Sequence, residues 1–322
     1  MPGKISVIVR TYHRGEYLRQ AVSSLLRQTL PLQEYEIIVV DNDPDGSARK
    51  TVQEIISCYR VSNVRYIQER KISASRAANT GVKNSTGDLI AFLDDDTIAE
   101  KDWLTKIMKN FSTKRVDLLA GKIILKISGK KLPGWVKGEL KILLGELDLG
   151  SSAREMKRRE FPLLMNMALR KDVFFSVGGF PENIGFQDGK PYAGEENALV
   201  LAARKKKYRI FYDPEVVVYH LVTGEKFKRM FFLKRKSWEG RARFRIDRMF
   251  KPLPLILGIV FFRLFIYVPV LSLLLLFCLV SNLPYDVLLL AKIFRNLNYF
   301  LEAFSLMQNI LQKNEQKNSN QH

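Results

Sequence analysis

The segment Asp88-Leu89-Ile90-Ala91-Phe92-Leu93-Asp94-Asp95-Asp96 decides the reading of this chain. An apolar run of strand length ends there in three consecutive carboxylates. Charges of one sign held that close repel unless a cation or hydrogen bonds compensate them. In an extended chain Asp94 and Asp96 point to the same side, so together they could grip one divalent ion. Hard oxygen ligands suit Mg²⁺ or Mn²⁺, and Mg²⁺ commonly keeps substrate phosphates in its shell. The carboxyl end of a parallel strand is also where α/β sheets bind ligands. The competing explanation is a solvated acidic loop that caps a following helix, expected over Asp102–Phe111.

Outward from this segment, short apolar runs (Ile5–Val9, Ile37–Val40) alternate with longer stretches of helical period such as Glu16–Gln28. That alternation predicts an α/β domain over residues 1–225 with a mostly parallel sheet flanked by helices. The runs are apolar throughout, as strands covered on both faces require. Asn79-Thr80-Gly81 and Ser85-Thr86-Gly87 read as turn chemistry before the decisive strand. Lys4–Val9 reads directly as a strand and not as the preamble of a signal peptide.

Of 322 residues, 47% are hydrophobic and 26% charged, which excludes a disordered chain. Two cysteines, Cys58 and Cys278, exclude a disulfide scaffold and a cysteine-built zinc site. Fifty-two Lys and Arg against 33 Asp and Glu leave a net charge of +19, which predicts an anionic partner. Residues 226–251 concentrate that charge: eleven cations stand against Glu239 and Asp247, a net of +9, with aromatics interleaved. From Leu253 the chain turns apolar, with Leu264–Val280 supplying 17 residues after Arg263, the lower edge of what spans a bilayer. A polybasic belt beside such a run predicts docking on a membrane with anionic lipids, with the 1–225 domain on the cytoplasmic side. Arg263 argues for a shallow first segment and a deeper second one within 252–311, the alternative being a buried helix pair of a soluble domain. Residues 312–322 form a polar tail, and Lys313–His322 are expected to be disordered. Charge gathered beside an anchor, not spread over a groove, speaks against nucleic acid as the partner.

Val7-Ile8-Val9-Arg10-Thr11-Tyr12-His13-Arg14, Val39-Val40-Asp41-Asn42-Asp43, Asn79 through Asp96, Val177-Gly178-Gly179-Phe180-Pro181-Glu182, Gly194-Glu195-Glu196 and Tyr212-Asp213-Pro214-Glu215 up to His220 follow one another in the chain. In that order they resemble the motifs of the family 2 glycosyltransferases. The resemblance covers nearly all of residues 1–225 and implies a GT-A fold and inverting transfer from a nucleotide-diphosphate sugar. It departs from the family at Arg10, where proline is usual, and at His13, where asparagine is usual.

The resemblance implies donor contacts from Thr11, Arg14, Asp41, Arg76, Asp94 and Asp95. Asp41 could accept from a uracil imide, and Arg76, one helical turn before Asn79, could reach the diphosphate. A Mg²⁺ or Mn²⁺ ion would take Asp96, Asp94 and His220, although a strand-end histidine is as readily structural. The acceptor hydroxyl needs a base, and Glu195 and Glu196 open an apparent helix (Asn197–Arg204). Glu196 occupies the usual place of the base; the choice between the two stays open. Trp135 and Asn166 fall where similar enzymes shape the acceptor pocket, with ordinary core or surface roles as the alternative. The chain lacks the Gln-x-x-Arg-Trp pattern of processive synthases, so one sugar per encounter is expected. The acceptor implied is a lipid-linked or cell-surface glycan, with polyprenyl phosphate itself as the alternative and a UDP-sugar as the favoured donor.

Overall fold

The structure, a computed structural model, describes residues 3–129, 131–187, 190–192, 194–281, 283 and 285–319. The chain divides into two compact units, one of Met1–Leu132, Leu144–Lys190 and Glu195–Gly224, the other of Pro133–Leu143, Pro191–Gly194 and Glu225–His322. The strands are β1 (Ile5–Thr11), β2 (Tyr35–Asp41), β3 (Val64–Gln68), β4 (Leu89–Asp94), β5 (Thr97–Ala99), β6 (Leu118–Ser128), β7 (Arg154–Glu155), β8 (Met167–Arg170), β9 (Gly185–Gln187), β10 (Lys190–Tyr192) and β11 (Ile210–Thr223). The helices are α1 (Gly15–Leu25), α2 (Arg49–Tyr59), α3 (Ala74–Lys83), α4 (Trp103–Thr113), α5 (Glu139–Leu143), α6 (Lys171–Ser176), α7 (Glu195–Lys205), α8 (Arg229–Phe250), α9 (Leu253–Phe261), α10 (Val268–Val280) and α11 (Asp286–Ser319).

In the first unit one sheet runs β3-β2-β1-β4-β8-β6-β11-β5, with β7 also paired to β11. The β3-β2-β1-β4 half is wholly parallel. Its strands are nearly all buried, which is why their sequences show no polar alternation. Beyond β4 the sheet is mixed: β8 lies antiparallel between β4 and β6, while β11 runs parallel to β6. In-register pairing aligns Thr11 with Asp41 and Arg10 with Asp94. Those residues therefore share one edge of the sheet, at the carboxyl ends of three strands.

Asn79-Thr80-Gly81 is not a turn; it lies inside α3. Gly81 is there for contact with the sheet, since a Cβ would stand 2.5 Å from Ile8 Cγ2. Pro214, unable to donate to a ladder, sits where the β11–β6 register breaks between Asp213 and Val217. At the opposite edge from the site, buried Glu36 accepts from the Ser6 hydroxyl (2.6 Å), the Thr86 N–H (2.6 Å) and the Arg65 guanidinium (3.0 Å). Burial pushes this carboxyl up, but those donors outweigh it and hold it at about 2.

In the second unit α8 lies along α11. Gly240 permits the approach, because a Cβ would fall 2.1 Å from the Arg295 carbonyl oxygen. The basic belt was expected to face lipid, yet much of it joins the two helices. Arg229 pairs with Asp286 (2.9 Å) and Arg245 with Glu302 (2.7 Å), while Arg241 donates to Asn298 (3.0 Å). Arg243 and Lys251 both hold Asp247, which is buried and would otherwise be an uncompensated charge. Lys228, Lys234 and Arg248 stay exposed.

Leu253–Val280 is a single helix of 28 residues, long and apolar enough to cross a membrane, and only 6% of its most apolar window is buried. The expected division into a shallow and a deep segment at Arg263 is thus replaced by continuity through a wide π-type turn, Phe262–Tyr267. That turn precedes Pro269, whose ring would clash with a carbonyl of a regular preceding turn. Arg263 faces α11: it donates to Asn296 Oδ1 at 2.9 Å and lies 4.2 Å from the Tyr299 ring centroid. A second correction concerns the tail, for α11 continues to Ser319. Residues 320–322 of that expected tail lie outside the described residues.

Candidate active site

The carboxylate triplet does not stay extended. β4 ends at Asp94, and Asp95 and Asp96 form a turn into β5. The alternation that would aim Asp94 and Asp96 together therefore does not operate. Arg10 takes Asp94 instead, at 3.0 Å. Asp95 accepts from the Thr11 hydroxyl at 2.8 Å and from Arg14 at 3.2 Å. Arg14 also holds Asp96 at 2.9 Å. Burial pushes the Asp95 carboxyl up to about 6; Arg14 and Thr11 pull against it, and the neighbouring aspartates add to it.

Asp96 meets His220 because β11 pairs antiparallel with β5, setting His220 opposite Thr97. Its Oδ1 lies 3.4 Å from His220 Nε2, with both side chains almost fully buried. Adjacent ligands on an octahedral ion with bonds near 2.1 Å are about 3 Å apart, so this oxygen and nitrogen fit one divalent cation as two of its ligands. Among the described residues no group of three or more His, Cys, Asp or Glu is arranged to hold a metal. Gly145, at φ +94°, backs the imidazole; a Cβ there would stand 2.6 Å from Nδ1.

Glu195 and Glu196 form the first turn of α7. Glu195 is buried and accepts from Arg10 at 3.1 Å, whereas Glu196 is partly exposed. Arg10 thus joins the triplet to the acidic pair.

Two residues expected to touch donor are differently employed. Asp41 is fully buried, and its oxygens accept from the Asp43 and Ala48 N–H groups and from the Tyr66 hydroxyl. These bonds shape the loop after β2. Arg76 pairs with Glu182 and Glu69, because α3 is fastened to the 179–185 loop. In that fastening Asn79 both donates to and accepts from the Phe180 backbone, and Ser75 donates to the Ile184 carbonyl. Asn166 is a core residue that accepts from Trp103 Nε1 and donates to Lys122 and Val216 carbonyls. Trp135, in the second unit, stacks edge-on against Phe232.

The model of the family described as "Glycosyl transferase family 2" matches residues 6–178. The chain belongs to that family. This family 2 glycosyltransferase is 27% identical over 181 residues to the glycosyltransferase AglE of Haloferax volcanii, 56% of this chain and 57% of the relative. The chain thus matches little more than half the length of that relative. It is 24% identical over 256 residues to the glucosyl-dolichyl phosphate glucuronosyltransferase of the same organism, covering 77% of this chain and 78% of the relative. Among solved structures it resembles the mannosyltransferase PcManGT of Pyrobaculum calidifontis in complex with GDP-Man and Mn²⁺. The TM-score is 0.64 at 16% identity, over 93% of this chain and 87% of that one, and the likeness establishes the GT-A fold.

The link that Arg10 makes between Asp94 and Glu195 was not legible in the sequence, although its departure from the family's proline was visible. Ser75 and Gly145 carried no sequence signal, since each meets a partner distant in the chain.

Proposed function

We propose that this chain is an inverting glycosyltransferase that moves a sugar from a nucleoside-diphosphate donor to a hydroxyl of a lipid-linked or cell-surface glycan at the cytoplasmic membrane face. The observation that carries the reading is the convergence at one sheet edge of the Asp96–His220 pair and the Glu195–Glu196 helix head. Asp96 and His220 would hold Mg²⁺ or Mn²⁺, and Thr11 and Arg14 would keep the neighbouring aspartates in place. When bound, such an ion supplies Lewis-acid stabilisation to the departing diphosphate. Glu196, the more exposed of the pair, takes the proton of the attacking hydroxyl. A phosphate acceptor is already ionised and needs no base, so the hydroxyl acceptor is the better match to this site.

The exposed 253–280 helix supports membrane docking, with Lys228, Lys234 and Arg248 available to anionic headgroups. The glucosyl-dolichyl phosphate glucuronosyltransferase relative favours a lipid-linked acceptor. The donor base is chosen by assay, with UDP-sugars first and GDP-sugars, as bound by the Pyrobaculum enzyme, second. The test is a donor screen with Mn²⁺ or Mg²⁺, with and without membrane extract. Release of nucleoside diphosphate together with a glycosylated lipid supports the reading; absence of both for every donor sinks it.

A further inference from the structure

Arg10 occupies a position where the family usually has proline, and the proposed chemistry makes no direct use of it. Its side chain is only 16% exposed. Nη2 donates to Asp94 Oδ1 at 3.0 Å, while Nη1 donates to Glu195 Oε1 at 3.1 Å and to the Ala74 carbonyl at 3.2 Å. One guanidinium therefore joins the end of β4, the head of α7 and the first turn of α3. The planar fork lets two carboxylates share a single buried cation in fixed geometry; a lysine, with one nitrogen, lacks that fork.

We infer that Arg10 is a positioning residue that clamps the helix head carrying Glu196 to Asp94 on the donor side, so that donor binding and base placement are one event. The inference rests on the sugar-transfer reading of the site. Glu195 is then the anchor of the clamp. Its side chain is 10% exposed and engaged by the guanidinium through Oε1, which ties it to the link and leaves the more exposed Glu196 as the base. Glu196 follows about 100° further round the helix, in the same first turn that the clamp holds. The clamp matters because a shift of about 1 Å in a reacting group costs about 100-fold in rate.

The test compares wild type, Arg10→Lys, Glu195→Gln and the double variant. Arg10→Lys keeps the charge and is expected to hold the melting temperature near wild type while kcat falls about tenfold or more. Glu195→Gln added to Arg10→Lys should cost little further, since both break the same link. A second readout needs no turnover: hydrogen exchange in the first turn of α7 should slow on adding UDP or GDP with Mn²⁺ in wild type, and not in Arg10→Lys. Wild-type kcat in Arg10→Lys, additive losses, or equal slowing of exchange in both proteins would overturn the inference. If wild type neither binds nucleotide nor transfers sugar, the donor reading has failed separately. The clamp is then decided by a thermal double-mutant cycle of Arg10→Ala and Glu195→Gln: coupled losses uphold it and additive ones end it.

Discussion

His220 Nε2 lies 3.4 Å from Asp96 Oδ1, and neither side chain is more than 10% exposed. The antiparallel pairing of β11 with β5 brings this imidazole from a distant strand to a carboxylate in the turn after β4. Asp96→Asn is expected to lower transfer by about 100- to 1,000-fold and to weaken Mn²⁺ binding in calorimetry. His220→Ala should weaken the same binding by about tenfold or more. Unchanged Mn²⁺ affinity in both variants would show that this pair does not hold the proposed ion.

Gly145 supports that pair from behind. Gly145→Ala must displace the imidazole, because its Cβ would fall 2.6 Å from Nδ1, and φ is +94°. The expected result is a loss of Mn²⁺ affinity together with a lower melting temperature. A variant with wild-type affinity would show that the ring position is not set from this side.

Glu196→Gln should lower kcat by about 100- to 10,000-fold with little change in donor affinity, as loss of a general base does. Nucleotide binding by calorimetry and single-turnover transfer separate the two. A Glu196→Gln enzyme that transfers at the wild-type rate would return the role to Glu195.

Glu36 gives the folded state a defined acid response. Its folded value of about 2 lies below the ordinary 4.5, so its contribution is complete above about pH 4.5 and is lost as pH falls toward 2. Glu36→Gln should be less stable than wild type at pH 7 by about 1–3 kcal/mol. That gap should narrow in denaturant titrations as pH falls from 4.5 toward 2. A constant gap would mean that Glu36 is not held ionised by Ser6, Thr86 and Arg65.

Gly81→Ala opposes two effects. Alanine favours a helix interior by about 1 kcal/mol, whereas overpacking costs about 1–3 kcal/mol. With Ile8 Cγ2 only 2.5 Å from the new Cβ, the clash is expected to win and the melting temperature to fall. A rise would show that Ile8 and the sheet yield easily.

Legibility differed sharply between the parallel half of the sheet and the rest. Ile5–Val9, Ile37–Val40 and Leu89–Leu93 were readable as strands because burial on both faces demands apolar residues at every position. Met167–Arg170, the antiparallel β8, is too short to carry a periodic signal, and its place between β4 and β6 rests on long-range pairing. Gly81 read as punctuation, since composition alone cannot separate a glycine that turns the chain from one that admits a neighbour. The belt read as a headgroup surface because its partners Asp286, Asn298 and Glu302 come from a helix 57 residues later.

By itself, the sequence determined the α/β architecture, the carboxylate-ended strand, the acidic helix start and the apolar run after Leu253, all matters of local pattern and hydropathy. Which carboxylate meets which cation was decided by tertiary structure alone. Arg10 reaches both Asp94 and Glu195, Arg14 takes Asp95 and Asp96, and Asp41 turns inward to its own loop. Local propensity sets the elements, but charge pairing depends on which side chains the pairing of β1, β4, β5 and β11 brings within about 3 Å, the reach of a hydrogen bond.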